Sequence, residues 1–472
     1  MTNAPGDDAP VPTPPATANT GAIGVMGLDL QEGREIPRTQ VVSWAFWDWA
    51  TQPFNTVILT FIYSALFLTT ATFLPPEIAA LGEDDPVYQR GLADLASGFG
   101  WGGTVAGVLI LLLAPVLGQR ADAAGRQKLW LGVFTGLLVA SMIGLGFVRG
   151  EAGYFWIGVA FISAGTVFSE IAGVNYNAML VSVSTPRTVG KISGLGWGFG
   201  YIGGIVALIL VVVFYATNWF GLPEEGGLPF QLIAIGCAVW AVLFAIPLFR
   251  NVPEPGRVKE ERRVGFFASY ALLVKDIIRL FRETRPTFWF LLASAVFRDG
   301  LAGVFAFGAV IAAQVFGFGF LDLVIFGIAA NLVAGLSTIV AGRLDDRFGP
   351  KTVIVAALVG LLVAGVVVFV FHDAGPIVFW VFGLILCAFV GPAQAASRSF
   401  LARVTPAGRE GEVFGLYATT GRAASWMSSA LWAGAIALFG ATYWGILGII
   451  LVVAIGLVLL LLVRVPKQAA AA

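Results

Sequence analysis

The chain predicts an all-α membrane protein, with twelve transmembrane helices in two pseudo-symmetric six-helix bundles. Three observations lead there. Of its 472 residues 58% are hydrophobic and only 12% are charged, against roughly a quarter charged in an ordinary soluble domain. Twelve apolar runs are each long enough to cross the hydrocarbon layer, which takes about 20 residues of helix. A short pattern also returns about half a chain length later. Gly118-Gln-Arg-Ala-Asp122-Ala-Ala-Gly125-Arg126-Gln-Lys128 is echoed by Gly342-Arg-Leu-Asp-Asp346-Arg-Phe-Gly349-Pro-Lys351. An internal repeat on that scale in a membrane-type sequence means two copies of one bundle, with a solute pathway between them near the middle of the bilayer.

Residues 1–40 stand apart. Their opening, MTNAPGDDAPVPTPPATANTGA, is rich in Pro, Ala, Thr and Gly and offers nothing to pack, so a disordered tail is expected. It has no basic start followed by a short apolar core, so no cleavable signal peptide is expected. The runs then fall at about 42–73, 95–118, 129–149, 153–182, 192–219, 230–250, 287–316, 320–341, 352–372, 376–403, 412–440 and 441–463. They are rich in Leu, Val, Ile and Ala and lack the alternation of a barrel strand, so each is read as a helix. The fourth, fifth, tenth and eleventh are long because each blends into a short amphipathic connector. The runs divide the chain into an N-terminal bundle (41–250), a charged central loop (251–286), a C-terminal bundle (287–464) and a tail (465–472).

Orientation follows from Lys and Arg. With the N-terminus inside, inside segments hold Arg34, Arg38, Arg120, Arg126, Lys128, Arg187, Lys191, Arg343, Arg347, Lys351, Arg403, Arg409, Arg464 and Lys467, and the central loop adds more. Only Arg90 and Arg149 fall in outside loops. Both termini are therefore expected in the cytoplasm of a cell whose inner membrane the chain crosses. In the central loop FFASYALLVKDIIRLFRE carries apolar residues at helical spacing with basic ones between, as an amphipathic helix on the inner leaflet would.

The repeated G-x-x-x-D-x-x-G element has a readable physics. Its glycines permit a tight turn and close helix approach. Asp122 and Asp346 are expected just before the following helix, where the dipole favours an acid. Arg126, Lys128 and Lys351 anchor at an anionic leaflet. Two further echoes support duplication: Thr185-Pro186, Gly190 and Gly194-Leu195 recur as Thr405-Pro406, Gly411 and Gly415-Leu416, and Asp48 of the first run parallels Asp299 of the seventh.

With that element between runs two and three and again between eight and nine, the chain resembles the major facilitator superfamily over all twelve runs. Ser43-Trp-Ala-Phe-Trp-Asp48-Trp49-Ala50, Asn175-Tyr176-Asn177-Ala-Met-Leu, the Gly-rich stretch from Gly190 to Gly204, Phe297-Arg298-Asp299-Gly300, Gln394-Ala-Ala-Ser-Arg398-Ser and Phe414-Gly415-Leu-Tyr-Ala-Thr-Thr-Gly421-Arg422-Ala narrow it. Together they resemble the branch of autophagy-related vacuolar amino-acid effluxers and their bacterial relatives. Thr51 departs from the branch, which usually has Asn there. The resemblance implies solute export, with amino acids as the substrate class of the eukaryotic members. It also implies a charge lock, in which the motif's Asp and Arg break and reform contacts as the halves rock. Pro350 replaces the first basic residue of the second copy. Gly198-Phe-Gly200-Tyr-Ile-Gly203 fits a dinucleotide fingerprint, but no strand precedes it, and Gly196, Gly200 and Gly204 read as a helix-packing face.

Charges at membrane depth are costly, which makes them functional candidates. Ser163, Thr166, Glu170 and Asn177 share one face of the fourth run. Asp48, Gln52 and Asn55 do so in the first, and Thr419, Arg422, Ser425 and Ser429 in the eleventh. Arg298 and Asp299 point about 100° apart on a helix, so at most one lines a cavity fully, and Asp299 is favoured. Arg398 either snorkels or binds. A zwitterion needs an anion for its ammonium and a cation for its carboxylate; Arg422 could supply the fork, and Glu170 or Asp299 the carboxylate. Buried structural pairing of Glu170 or Asp299 with Arg422 or Arg298 is the competing reading. Trp44, Trp47 and Trp49 are expected as interfacial anchors rather than a substrate cage.

The expected function is thus a secondary transporter of a small organic solute, such as an amino acid, with protons as a candidate coupling ion. A drug or lipid exporter of the same fold is the alternative. A polytopic enzyme would need a catalytic constellation, and none is legible: the sequence has no H-E-x-x-H and no phosphate-binding loop. No cofactor, metal or nucleic-acid partner is expected, the last because formal charge is zero. Cys237 and Cys387 read as small buried hydrophobes, His372 falls in an outside loop, and the chain is expected to act as a monomer in the lipid bilayer.

Overall fold

The computed structural model describes residues 35–124, 126–185, 188–223, 225–254, 266–404 and 410–463. The expected tails lie outside the described residues, apart from 35–40, where the first helix already begins. Helix is the regular structure of the described residues, and eleven helices are long and apolar enough to cross a membrane.

α1 (Arg38–Pro53) continues through two stretches of wider π-helical turns, Phe54–Phe61 and Ser64–Leu68, to make one span of 31 residues. Pro53 stands where the α-helical pattern ends: it has no N–H for Trp49 O, which accepts instead from Trp240 Nε1 at 3.0 Å. Hydroxyls meet carbonyls of the loosened turns. Ser64 Oγ donates to Leu59 O at 2.8 Å, and Thr69 Oγ1 donates to Ser64 O at 2.9 Å.

After a one-turn helix α2 (Pro76–Ala79) comes α3 (Pro86–Ala124), 39 residues long. It begins well before the predicted run, so Arg90 sits on a helix rather than in a loop and pairs with Asp94 at 3.1 Å. α4 (Gln127–Leu145), α5 (Phe155–Ala178) with its connector α6 (Leu180–Val183), α7 (Val189–Ala216) and α8 (Leu228–Asn251) follow. α9 (Phe266–Glu283) forms where the amphipathic stretch was predicted. Its Leu280 joins the buried core, while Val274, Ile278 and Phe281 stay exposed.

α10 (Arg285–Gln314), α11 (Phe320–Phe348), α12 (Pro350–Val370) and α13 (Pro376–Val404) come next. Proline opens α3, α12 and α13, where its fixed φ suits the first turn and its missing N–H is no loss. Gly349, at φ +81°, makes the turn between α11 and α12, so Pro350 starts α12 where the first motif copy has Arg126. Asp122 and Asp346 fall inside the ends of α3 and α11, not ahead of the next helix as expected, because both helices run on through the motif.

The eleventh predicted run is broken. It forms α14 (Glu410–Ala423) and α15 (Met427–Phe439), joined by a tight turn at Ala424-Ser425-Trp426, and neither piece is a span by itself. α16 (Trp444–Leu462) closes the described chain. Nothing in Ala423-Ala424-Ser425-Trp426-Met427 is a helix breaker, so tertiary contacts cause the turn. Gly107 of α3 lies so close that an added Cβ would stand 2.7 Å from the Cα and N of Trp426.

Buried apolar residues form one cluster at one end and two at the other. The large cluster joins Phe54, Ile62 and Leu208 from the first helices to Phe307, Val324 and Trp432 from the last. Elsewhere, one cluster draws only on residues 44–252 and another only on residues 280–463. Cross-links gather at the shared end: Gln314 Nε2 donates to Thr69 O, Arg90 to Ala437 O, Ser97 Oγ to Ala433 O, and the Tyr215 and Phe320 rings stack at 4.1 Å. The first and last helices are thus joined at the end away from the basic segments. Cys237 and Cys387 are both free and buried.

Gly107→Val should lower the melting temperature in detergent by several degrees, since overfilling a packed contact costs about 1–3 kcal/mol. Gly136→Val, where nothing lies within 4 Å, should melt like the parent. Equal melting of both variants would show that the broken segment tolerates displacement.

Candidate substrate site

Counted at 1.5 Å per residue from helix ends on the basic side, Asp48, Glu170, Arg298, Arg398 and Arg422 lie roughly 10–20 Å deep. They come from α1, α5, α10, α13 and α14. Acids stand on helices of the first part of the chain and arginines on helices of the second.

On the first wall, Asp48 is half-buried and faces Gly200 of α7, where an added Cβ would stand 3.3 Å from its Cγ. It forms no hydrogen bond or ion pair with another described residue. Beside it Tyr176 is sandwiched between Trp44 and Trp47, with ring centroids 4.4 Å away on each side. Trp44 donates to Tyr176 O at 3.2 Å and Trp47 to Thr135 Oγ1 at 3.0 Å. These two tryptophans are therefore core residues, 2% and 3% exposed, and not the interfacial anchors expected. A buried Tyr explains it: its two faces need flat apolar partners. Trp49 likewise stacks on Trp240 at 5.5 Å. The Tyr176 hydroxyl is buried and has no hydrogen-bond partner.

Glu170 is exposed on α5, and Arg422 Nε lies 3.4 Å from its Oε2. That distance brings the charges together, yet it is longer than the 2.7–2.9 Å of a charge-assisted hydrogen bond, and Arg422 Nε has no bond of hydrogen-bond geometry. The pair is loose and joins the two parts of the chain. Arg298 lies over the Tyr417 ring, 4.0 Å from its centroid, and donates to Tyr417 O at 3.1 Å. Tyr417 is fixed in turn by a 2.6 Å hydrogen bond between its hydroxyl and Ser397 Oγ. Arg398 is exposed and stands over Trp197 of α7 at 5.7 Å. Arg298 also packs against Gly421, the residue before Arg422, where an added Cβ would stand 2.8 Å from its Nη1. Trp197, Tyr201 and Tyr417 were not singled out from the sequence. Their signal was one of spacing: Tyr201 falls one turn from Trp197 on α7, and Tyr417 precedes Arg422 on α14.

Asp299 is placed differently from its neighbour. It is 5% exposed, and its two carboxylate oxygens accept from Ser428, Oδ2 from the backbone N–H at 2.6 Å and Oδ1 from the hydroxyl at 3.1 Å. Ser428 lies in the first turn of α15, so Asp299 caps the second piece of the broken helix. Asn55 is half-buried in the π-helical stretch and Asn177 is exposed near the end of α5. Of the motif residues, Gly125 lies outside the described residues, as do the side chains of Asp122 and Asp346 and the surroundings of Gly118 and Gly342. Arg126 is exposed, and the Nζ of nearby Lys128 donates to Val252 O at 2.7 Å.

The fold and the relatives of the chain make it a secondary transporter of the major facilitator type, and not an enzyme. Its D-xylose–proton symporter likeness shows the fold: TM-score 0.64 at 13% identity, over 92% of this chain and 98% of the symporter. The family model described as "Vacuole effluxer Atg22 like" matches residues 182–472, and the chain belongs to that family. It is 26% identical to the uncharacterised MFS-type transporter YxiO of Bacillus subtilis strain 168, over 89% of this chain and 93% of that one. It is 24% identical to autophagy-related protein 22 of Cryptococcus neoformans var. neoformans serotype D (strain JEC21), over 52% of this chain and 45% of that protein.

Asp299→Ala should destabilise the protein by about 1–3 kcal/mol, the cost of leaving buried donors without an acceptor, and Asp299→Asn by less. Thermal unfolding in detergent measures both. Parent-like melting of the alanine variant would remove the capping role.

Proposed function

We propose that this transporter exports an amino acid or a related zwitterion by alternating access. The carrying observation is the division of charge at membrane depth: Asp48 and Glu170 on one wall, Arg298, Arg398 and Arg422 on the other. An ammonium is matched by the first wall and a carboxylate by the second. Because the walls belong to different parts of the chain, such a solute bridges them and its binding favours their closure. The family's effluxer description supports the outward direction.

In this reading residues 41–250 and 287–464 rock as two bundles, linked by 251–286. The basic segments, with both termini, face the cytoplasm of a cell whose inner membrane holds the protein. The shared apolar cluster is then the closed outer gate, and the site opens inward. Asp48, Asn55, Glu170, Asn177, Asp299 and Arg422 are the binding or coupling set, with Asp299 acting through the shape of the broken helix. Protons are the proposed coupling ion, Asp122, Arg126 and Asp346 with their glycines form the gating lock, and the monomer is the working unit. One observation favours the second reading, an exporter of apolar drugs or lipids: a cavity among α10, α12, α13 and α16, lined by Val304, Phe305, Leu361, Phe379, Cys387 and Ile450.

Uptake and efflux in proteoliposomes, with a panel of amino acids and with or without a pH gradient, test the proposal. Glu170→Gln and Arg422→Ala should each reduce transport to background while expression and melting stay close to the parent. Full transport by both variants would move these groups off the solute's path.

A further inference from the structure

Resting on the zwitterion reading, we infer that the preferred substrate carries a second anionic group: an acidic amino acid, or another small molecule with one ammonium and two carboxylates, rather than a neutral amino acid.

The deciding point is which charged side chains among the described residues still have polar atoms to offer a ligand. Asp299 keeps its charge but offers none, because both its oxygens are taken by Ser428. Glu170 lies against Arg422. Three groups are then left with no ion pair to another described residue: Asp48 on one wall, Arg298 and Arg398 on the other. The two arginines rest on aromatic faces, Tyr417 and Trp197, and Arg298 gives an N–H to the Tyr417 carbonyl. A guanidinium has five N–H donors in a planar fork, so each has donors beyond those named here for a ligand. Aromatic faces hold the planes in place without neutralising them, as a receptor for carboxylates requires.

A chain of contacts joins the three groups. The Tyr417 ring under Arg298 bonds through its hydroxyl to Ser397, the residue before Arg398. Arg398 stands over Trp197, and Asp48 packs against Gly200 about one turn further along α7. Trp197 and Tyr201 on that stretch are 49% and 44% exposed. A neutral amino acid supplies one carboxylate and leaves one guanidinium unmatched after closure has excluded water. An acidic amino acid supplies two. Specificity of this kind comes from the mismatch left by the wrong ligand, and a lost hydrogen-bonded charge is worth about ten-fold or more in affinity.

The test is competition against radiolabelled glutamate counterflow in proteoliposomes of the full chain, with aspartate, glutamine, leucine and succinate as competitors. Glutamate and aspartate should compete about ten-fold better than glutamine and leucine, and succinate, which lacks the ammonium, should be weak. Arg398→Gln should cut the glutamate-to-glutamine preference about ten-fold, and Arg398→Lys should restore most of it. Thermal shift of each purified variant by glutamate and by glutamine gives the same ratio without turnover. If glutamine or leucine matches glutamate on the parent protein, the inference fails while the zwitterion reading stands. Succinate equal to glutamate also overturns it, since the ammonium is then not read. If no amino acid competes or shifts the melt, the zwitterion reading itself is lost.

Discussion

The interaction on which the structure most depends is the pair of bonds from Asp299 to Ser428. A helix broken inside an apolar layer exposes backbone donors at one new end and acceptors at the other, and lipid can satisfy neither. The positive end, at the start of α15, is met by the Asp299 carboxylate. The negative end, in the last turn of α14, carries Arg422. Each new terminus therefore has a charge of the sign its dipole favours. Gly107 and Gly303 let α3 and α10 come close enough to hold the break from both sides, since an added Cβ would stand within 3 Å of Trp426 or Ser428. The turn is a built element, and it sets the position from which Arg422 reaches Glu170.

That arrangement separates what the sequence could disclose from what it could not. Hydropathy found the spans because lipid imposes a length and a composition on each of them separately. The motif glycines found the repeat. The break in the eleventh run was hidden because its cause lies in α3 and α10, far away in sequence, and Ala-Ala-Ser-Trp carries no local signal. The π-helical turns did have a neighbouring signal in Pro53, which frees a carbonyl in the turn before them. Trp44 and Trp47 misled for a related reason. Tryptophan near a helix end reads equally well as a membrane-surface anchor and as a core partner, and only Tyr176, on a different helix, decides between them. Among the charges, Glu170 with Arg422 was one of the pairings that the sequence left open, while the partner of Asp299 was not legible. Arg298 and Asp299 are adjacent in sequence, yet one faces Tyr417 and the other a helix end, as a 100° step on a helix dictates.

The same geometry limits which groups can change partners during transport. Asp299 holds backbone as well as side chain, in a fully buried place, and breaking those bonds would strand polar groups in an apolar setting. Glu170 and Arg422 are 3.4 Å apart, partly exposed, and lack hydrogen-bond geometry. In the proposed rocking, a bridge between two moving walls would have to be of this second kind, strong enough to bias closure and weak enough to yield to a ligand. The rigid cap and the loose pair lie close together in sequence, on opposite sides of the turn at Ala424-Ser425-Trp426.

The proposed rocking would draw on the distribution of apolar contact. One end has a single cluster shared by both parts of the chain, while the basic end has two separate ones. Opening the shared end must part Phe99 from Phe307 and Tyr215 from Phe320, exposing aromatic surface that something else must cover or offset. In the proposed reading, a bound solute that ties Asp48 to the arginines would supply an offset at the basic end, drawing two walls together as the other end separates. The direction of coupling would then be set by where the charges lie relative to the shared core. Had these arginines stood on the same wall as Asp48, a zwitterion bound there would be held by one part of the chain alone, and its binding would have no leverage on the shared cluster.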